Sequence, residues 1–281
     1  MSNAARNDVQ SWLPRAGATD PSLPWPAIVL AGERAGGNAL ARAHHLPASV
    51  LVEVAGKACI ARVVATLRAS HCIDGGLLVG PATDIVHNND VLRELLALGD
   101  FRWLEPMRGP SASALRACAA LGHYPVLLTT GDHALLEAGT LDRFCTVAAA
   151  SGADFVVGLV PHDVVRGRFP HSRRTVLRFG DSAWCGANLF ALRTHAGRHA
   201  LELWQALEAD RKRPWRMASR LGLGFLWAYL TRQLSLPAAL AVLSDRAHCR
   251  IAYVAVDSAR AAVDVDSSAD LLLAEEVLRN E

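Results

Sequence analysis

The 281 residues are 51% hydrophobic and carry a formal net charge of +2. That is enough for one substantial α/β domain with an elaboration, or for two small domains, and nothing global points to nucleic acid as a partner. No run reaches the roughly 20 apolar residues that a membrane-spanning helix needs.

Residues 1–25, MSNAARNDVQSWLPRAGATDPSLPW, are polar and proline-punctuated. They lack the apolar core of a secretory signal, so they read as a loose arm on a cytoplasmic protein. AIVLA (27–31) then suits a short buried strand, with the β-branched Ile28 and Val29 in an apolar run. It feeds a loop holding Gly32, Gly36 and Gly37. Such a loop can turn its backbone N–H groups toward phosphates. Its G-x-x-x-G-G spacing is neither the dinucleotide fingerprint nor the ATPase P-loop, which weakens both readings.

Strand-like and helix-like runs then alternate. LVEV (51–54) and GGLLVG (75–80) read as strands, GKACIARVVATLRAS and NDVLRELLALG as helices. SASALRACAALG is a helix, PVLLTTGD (125–132) a strand that finishes on Asp132, EAGTLDRFCTVAAASG a helix and ADFVVGLVP a strand. This alternation argues for a mostly parallel sheet with helices on both faces. After Pro161 an irregular basic stretch, HDVVRGRFPHSRR, precedes two more strands, TVLRFGD and WCGANLFALRT. Residues 195–246 read as a helical insertion. RIAYVAV and AAVDV look like closing strands, and SSADLLLAEEVLRN is a terminal helix. The expected organisation is a single domain over 26–281.

The six cysteines form no C-x-x-C pair and sit near no histidines at zinc spacing, so they read as reduced core thiols. Chemistry belongs beyond the carboxyl ends of the strands, where open α/β sheets bind ligands. Asp132 ends a strand opposite the glycine loop and is placed to hold Mg²⁺. Asp264 and Asp266, in DVD, offer a second carboxylate, although Asp266 could equally cap the helix that follows. His133 reads as a structural neighbour rather than a base, because an acceptor phosphate is already ionised.

The order of these pieces resembles the MobA-like nucleotidyltransferases, a superfamily that includes molybdenum-cofactor and sugar-phosphate nucleotidyltransferases. LAGERAGG resembles the family's glycine-rich loop, LVEVAGKACI its G-K-P segment, LLTTGDHALL its metal-binding aspartate, and DVDSSADLLLAEEVL its closing helix entry. The resemblance implies a three-layer α/β/α Rossmann-like sheet of the GT-A type. It implies transfer of a nucleoside monophosphate from an NTP to a phosphorylated acceptor, with release of pyrophosphate. By match to the motifs, Ala31, Gly32, Arg34, Gly36 and Gly37 hold the triphosphate, and Ser113 contacts the nucleotide. Arg34 and Asp132 are the catalytic residues, and Asp132 with Asp264 or Asp266 binds Mg²⁺. One departure stands out. Ser49 occupies the place of a family lysine that reaches the triphosphate, and a serine supplies no fixed charge. Arg34 or Arg42 could substitute. A nucleotide-binding protein of this fold without catalysis is one alternative. A glycosyltransferase of the same architecture is another, although Gly131-Asp132-His133 is not the D-x-D such an enzyme prefers.

The acceptor is a phosphorylated small molecule or a lipid-related compound. Arg166, Arg168, Arg173 and Arg174 form one basic cluster, and Arg211, Lys212, Arg213, Arg216 and Arg220 a second. Each reads as a solvated surface or as a phosphate-recognition patch. LGLGFLWAYLT (221–231) reads as core packing of the insertion in preference to a membrane contact. Asn188, in GANLF, reads as a ligand donor or as a residue satisfying a buried turn.

Overall fold

The structure, a computed structural model, describes residues 24–33, 37–180, 182–210 and 220–280. The run WPAIVL forms β1 (Trp25–Leu30), and every residue in it is buried. Trp25 therefore belongs to the core rather than to the arm, and residues 1–23 lie outside the described residues. Asn38 caps α1 (Ala39–Ala43) by accepting from the Leu40 amide at 2.7 Å.

LVEV was expected to be a strand of the main sheet. Residues 49–51 instead form a 3₁₀ turn, and β2 (Glu53–Val54) pairs only with β3 (Lys57–Ala58). Ala55 and Gly56 both take positive φ, which closes a two-residue hairpin and reverses the chain at once. Next come α2 (Cys59–Ala69), β4 (Ile73–Val79), α3 (Thr83–His87), α4 (Asp90–Ala97), β5 (Phe101–Leu104) and α5 (Pro110–Leu121). Then follow β6 (Val126–Thr130), α6 (Ala138–Ala150), β7 (Phe155–Pro161) and α7 (His162–Arg168). The last of these lies in the stretch expected to be irregular. The chain continues with β8 (Val176–Arg178), β9 (Ala183–Leu192), α8 (Arg198–Asp210), α9 (Leu223–Leu230), α10 (Leu236–Ala247), β10 (Ile251–Ala255) and α11 (Ser268–Arg279).

Seven strands run β10-β7-β9-β6-β1-β4-β5, and β8 joins the sheet through β9. β9 is antiparallel to β6, β7 and β8, while β10–β7, β6–β1, β1–β4 and β4–β5 are parallel. Alternate side chains of the strands feed two layers. Val29, Leu78 and Leu127 pack with Val63, Leu67, Leu141 and Phe144 on one face. Ile28, Leu77 and Leu128 pack with Ala117, Leu121 and Leu201 on the other. The result is the expected α/β/α arrangement on a mostly parallel sheet. A third cluster seats α11, through Leu271, Ala274 and Val277, on Val52, Val54 and Leu135.

Two further expectations change. AAVDV forms no strand; residues 259–262 make a 3₁₀ turn, and Val265 alone ties back, its amide donating to the Asp132 carbonyl. The helices of the insertion are present, but α9 is not core, and none of its residues is buried. Leu236 and Leu240 of α10 already fill the apolar space beside Leu159.

Candidate active site

The chain steps from β1 to β4 and β5 on one side, then returns to β6 on the other side of β1. A crevice therefore opens beyond the carboxyl ends of β1 and β6, at the point where the strand order reverses. Backbone bonds lock its floor. The Gly131 amide donates to Leu30 O at 2.8 Å and the Ala31 amide to Val79 O at 2.8 Å. Gly80, at φ +92°, lies so close that a Cβ there would stand 2.8 Å from both N and Cα of Gly32. Only glycine permits that approach.

Ala31 is buried at this floor and Gly32 is exposed above it. Arg34 and Gly36 lie outside the described residues. Gly37 takes φ +71°, and the Arg42 guanidinium lies 3.4 Å from the position its Cβ would occupy. Arg42 thus sits against the glycine loop, where the sequence lacks the family lysine. The Ser49 amide, at that lysine's place, donates to the Glu33 carboxylate. Glu33 was not singled out in the sequence. Its only cue was an acid inside a loop expected to meet phosphate.

Asp132 follows β6 and is half-buried, and its Oδ1 has no hydrogen-bond partner. Burial raises its carboxyl to about 6, and the nearby charges of Asp264 and Asp266 push the same way. Thr130, whose hydroxyl approaches without completing a hydrogen bond, pulls in the opposite direction. Val265 N–H···O=C Asp132, at 3.1 Å, holds the two later aspartates beside this carboxylate.

Those two aspartates differ. Asp264 accepts from Arg174 Nη1 at 2.5 Å, and the same guanidinium, 8% exposed, also pairs with Asp270. Arg174, in a cluster read as a solvated surface or as a phosphate-recognition patch, is neither exposed nor unpaired but is committed to joining the Asp264 loop to α11. Asp266 is exposed. The helix N-cap is Ser267, which forms a capping box with Asp270, so Asp266 stands just outside the cap.

Among the described residues no group of three or more His, Cys, Asp or Glu is arranged to hold a metal ion. The half-buried carboxylate, with one buried oxygen that has no hydrogen-bond partner, does fit Mg²⁺, which takes one or two carboxylates and completes its shell with water and substrate phosphates.

His133 is fully buried, and neither ring nitrogen has a hydrogen-bond partner. Burial pulls it down to about 4, so the ring is neutral and sealed from the crevice. That places it as a structural neighbour and leaves no D-x-D at this strand end. Ser113 is also buried; its hydroxyl accepts from the Met107 amide at 2.9 Å and donates to Gly109 O at 2.9 Å. It pins the loop whose Pro106 lies 3.2 Å from the position a Gly32 Cβ would take, so its contribution to the crevice runs through that loop.

Lys57 lines a cavity of about 220 Å³ with Arg62, Glu137 and Arg260. Arg62 is spent on the carbonyls of Val54 and Ala55, and Arg260 on Glu137. Asn188 takes φ +50° inside β9, at an irregularity in its pairing with β7, so it sits at a strand bulge rather than in a turn. Arg211, Lys212, Arg213 and Arg216 lie outside the described residues, and Arg220 pairs with the buried Asp210 at 2.8 Å. All six cysteines are free and buried, as expected.

The family model of the MobA-like NTP transferase domain matches residues 27–221. None of the curated proteins matches the chain. Among solved structures, a hypothetical transferase from Thermus thermophilus is 27% identical, with a TM-score of 0.73, over 89% of this chain and 100% of that one. A 4-diphosphocytidyl-2C-methyl-D-erythritol synthase from Anaerococcus prevotii is 12% identical, with a TM-score of 0.53, over 92% and 100% of the two chains. A CMP:2-keto-3-deoxy-manno-octonic acid synthetase complexed with CTP is 10% identical, with a TM-score of 0.57, over 92% and 99%. The last two likenesses are of fold.

Proposed function

This chain belongs to the MobA-like NTP transferase family, and from that premise we propose that it transfers a nucleoside monophosphate from an NTP to a phosphorylated acceptor in a Mg²⁺-dependent reaction. The observation that carries the reading is the unpartnered Oδ1 of Asp132, at the strand-order reversal beside the glycine loop. A carboxylate kept half out of water, with two more carboxylates near it, is unfavourable until a cation arrives.

In this reading the loop from Ala31 to Gly37 cradles the triphosphate, with Arg34 and Arg42 supplying the positive charge that Ser49 does not. Asp132 holds Mg²⁺. Asp264 or Asp266 would supply the second carboxylate, and Asp264 is held in its place by Arg174. Bound Mg²⁺ would neutralise phosphate charge and align the chain of phosphates. An acceptor phosphate oxygen attacks the α-phosphorus, the bond to the β-phosphate oxygen breaks, and pyrophosphate departs. The protein's part is to position the two phosphates and stabilise charge, with no covalent intermediate. His133, neutral and sealed away, takes no proton.

The engagement of the Ser49 amide by Glu33 favours a second reading, in which the chain binds a nucleotide without turning it over. Incubation with each α-labelled NTP, Mg²⁺ and a pool of small phosphorylated metabolites separates the two. Transfer gives a labelled adduct with matching pyrophosphate. Nucleotide binding with neither product leaves the second reading standing.

A further inference from the structure

The cavity of about 220 Å³ beside Lys57 draws its walls from five elements. Lys57 comes from the β2–β3 hairpin, Arg62 from α2, Glu137 from the turn after Asp132, Arg260 from the 3₁₀ turn at 259–262 and Leu278 from α11. Neither the glycine loop nor Asp132 lines it. Arg260 pairs with Glu137 at 3.2 Å, so those two charges cancel. Arg62 donates from Nε to Val54 O at 2.7 Å and from Nη2 to Ala55 O at 3.0 Å. Carbonyls carry no net charge, so these bonds fix the guanidinium and leave its positive charge uncompensated. Among the described residues its Nη1 has no hydrogen-bond partner, and Lys57 has no ion pair.

We propose that this cavity is a second anion site, taking a small molecule whose phosphate group sits between Lys57 and Arg62. Two like charges lining one cavity repel until an anion joins them. The donors left over select the anion. A planar carboxylate is best met by the Nε–Nη2 fork of an arginine, and in Arg62 that fork is turned to the hairpin carbonyls. What remains is one guanidinium nitrogen and one ammonium on separate elements. Such single donors suit the several oxygens of a phosphate. The occupant is small, because pockets for drug-sized ligands begin at roughly 300 Å³. Leu135 and Leu278 would cover any carbon atoms attached to the phosphate. The cavity also borders both segments that carry the acids of the crevice. On one wall the Ala134 amide donates to Asp132 O at 3.0 Å. On the other the Val263 amide donates to Arg260 O at 3.1 Å, immediately before Asp264. The inference stands apart from the nucleotide reaction.

The test is calorimetric titration of the full chain with inorganic phosphate and, separately, with glycerol phosphate, at low salt and without nucleotide or Mg²⁺. Two cavity variants are run beside the wild type. Lys57→Ala removes the exposed ammonium, and Ala65→Glu sets a carboxylate on the α2 wall. Arg42→Ala is the control for phosphate held at the glycine loop, and thermal melts check that every variant is folded. At least one of the two phosphates binds the wild type, and each cavity variant weakens that binding about tenfold or more, the loss of one charge-assisted bond. Arg42→Ala leaves it unchanged. Tighter binding of glycerol phosphate identifies the occupant as a phosphate ester seated on Leu135 and Leu278, and tighter binding of inorganic phosphate identifies it as the free ion. Three results would overturn the proposal. One is a wild type that binds neither compound at millimolar concentration. Another is a pair of cavity variants that bind as the wild type does. The third is loss of all phosphate binding in Arg42→Ala, which would put the ion on the glycine loop.

Discussion

The amide of Val265 donates to the carbonyl of Asp132 at 3.1 Å. One backbone bond therefore joins the end of the central strand to a loop more than 130 positions later in the sequence. It sets Asp264 and Asp266 where their charges raise the Asp132 carboxyl.

The first consequence concerns pH. Asp132 holds its proton to about 6 in the folded chain, against about 3.9 in an unfolded one. A raised acid favours the fold below its unfolded value and loses that favour as pH rises through the folded one. Asp132→Asn should therefore stabilise the nucleotide-free protein by up to about 2 kcal/mol near neutrality. That gain should vanish below about pH 4. His133 works in the opposite sense. Its folded value of about 4 lies below the ordinary one, so its contribution is complete above about pH 6.5 and is lost as pH falls toward 4. Between these limits the two slopes offset one another in the wild type. Melting curves of both proteins across that range should show the variant losing stability with acid more steeply than the wild type. Parallel curves would count against the strained carboxylate.

A second expectation concerns Arg174. Its guanidinium is 8% exposed and serves Asp264 and Asp270 together. Arg174→Ala leaves two carboxylates without their partner and loosens the entry to α11. Denaturant unfolding should register a loss of about 2–4 kcal/mol, as for other partly buried pairs broken from one side. Arg174→Lys should recover part of it, because one ammonium cannot serve both acids with the same geometry. If the alanine variant were as stable as the wild type, the ion pair would contribute nothing to holding the Asp264 loop.

Much of this was legible in the sequence. Apolar runs ending in glycine, aspartate or proline marked β1, β4, β6 and β7, because buried parallel strands read as unbroken hydrophobic stretches. Asp132 stood out in the sequence at the end of an apolar run, and it does follow β6. Short elements were harder. Phe101–Leu104 forms β5 with only Phe101 buried, and the two-residue β2 owes its existence to a turn at Ala55–Gly56. The ion pair of Arg174 with Asp264 and Asp270 spans about ninety positions, and no local pattern encodes it. Glu33 was passed over because its partner is a backbone amide, which has no letter of its own. Helix α9 carried the composition of a core helix, and only the placement of α10 beside Leu159 shows that the core was already full.

A third expectation tests the floor of the crevice. Gly80→Ala puts a methyl 2.8 Å from two backbone atoms of Gly32, at a φ of +92° that side chains rarely adopt. The chain must shift at the glycine loop. A loss of about 2–4 kcal/mol in stability should come with weaker NTP binding. Gly122→Ala is the control. Gly122 also has positive φ, but nothing lies within 4 Å of its Cβ direction, so that variant should lose stability alone.

The most direct measurement is a calorimetric titration with each NTP, with and without Mg²⁺, on the wild type and on Asp132→Ala. The account predicts that at least one NTP binds the wild type more tightly when Mg²⁺ is present, and that Asp132→Ala removes that gain while the Mg²⁺-free affinity stays close to the wild-type value. Binding that ignores both Mg²⁺ and Asp132, or no binding by any NTP, would contradict it.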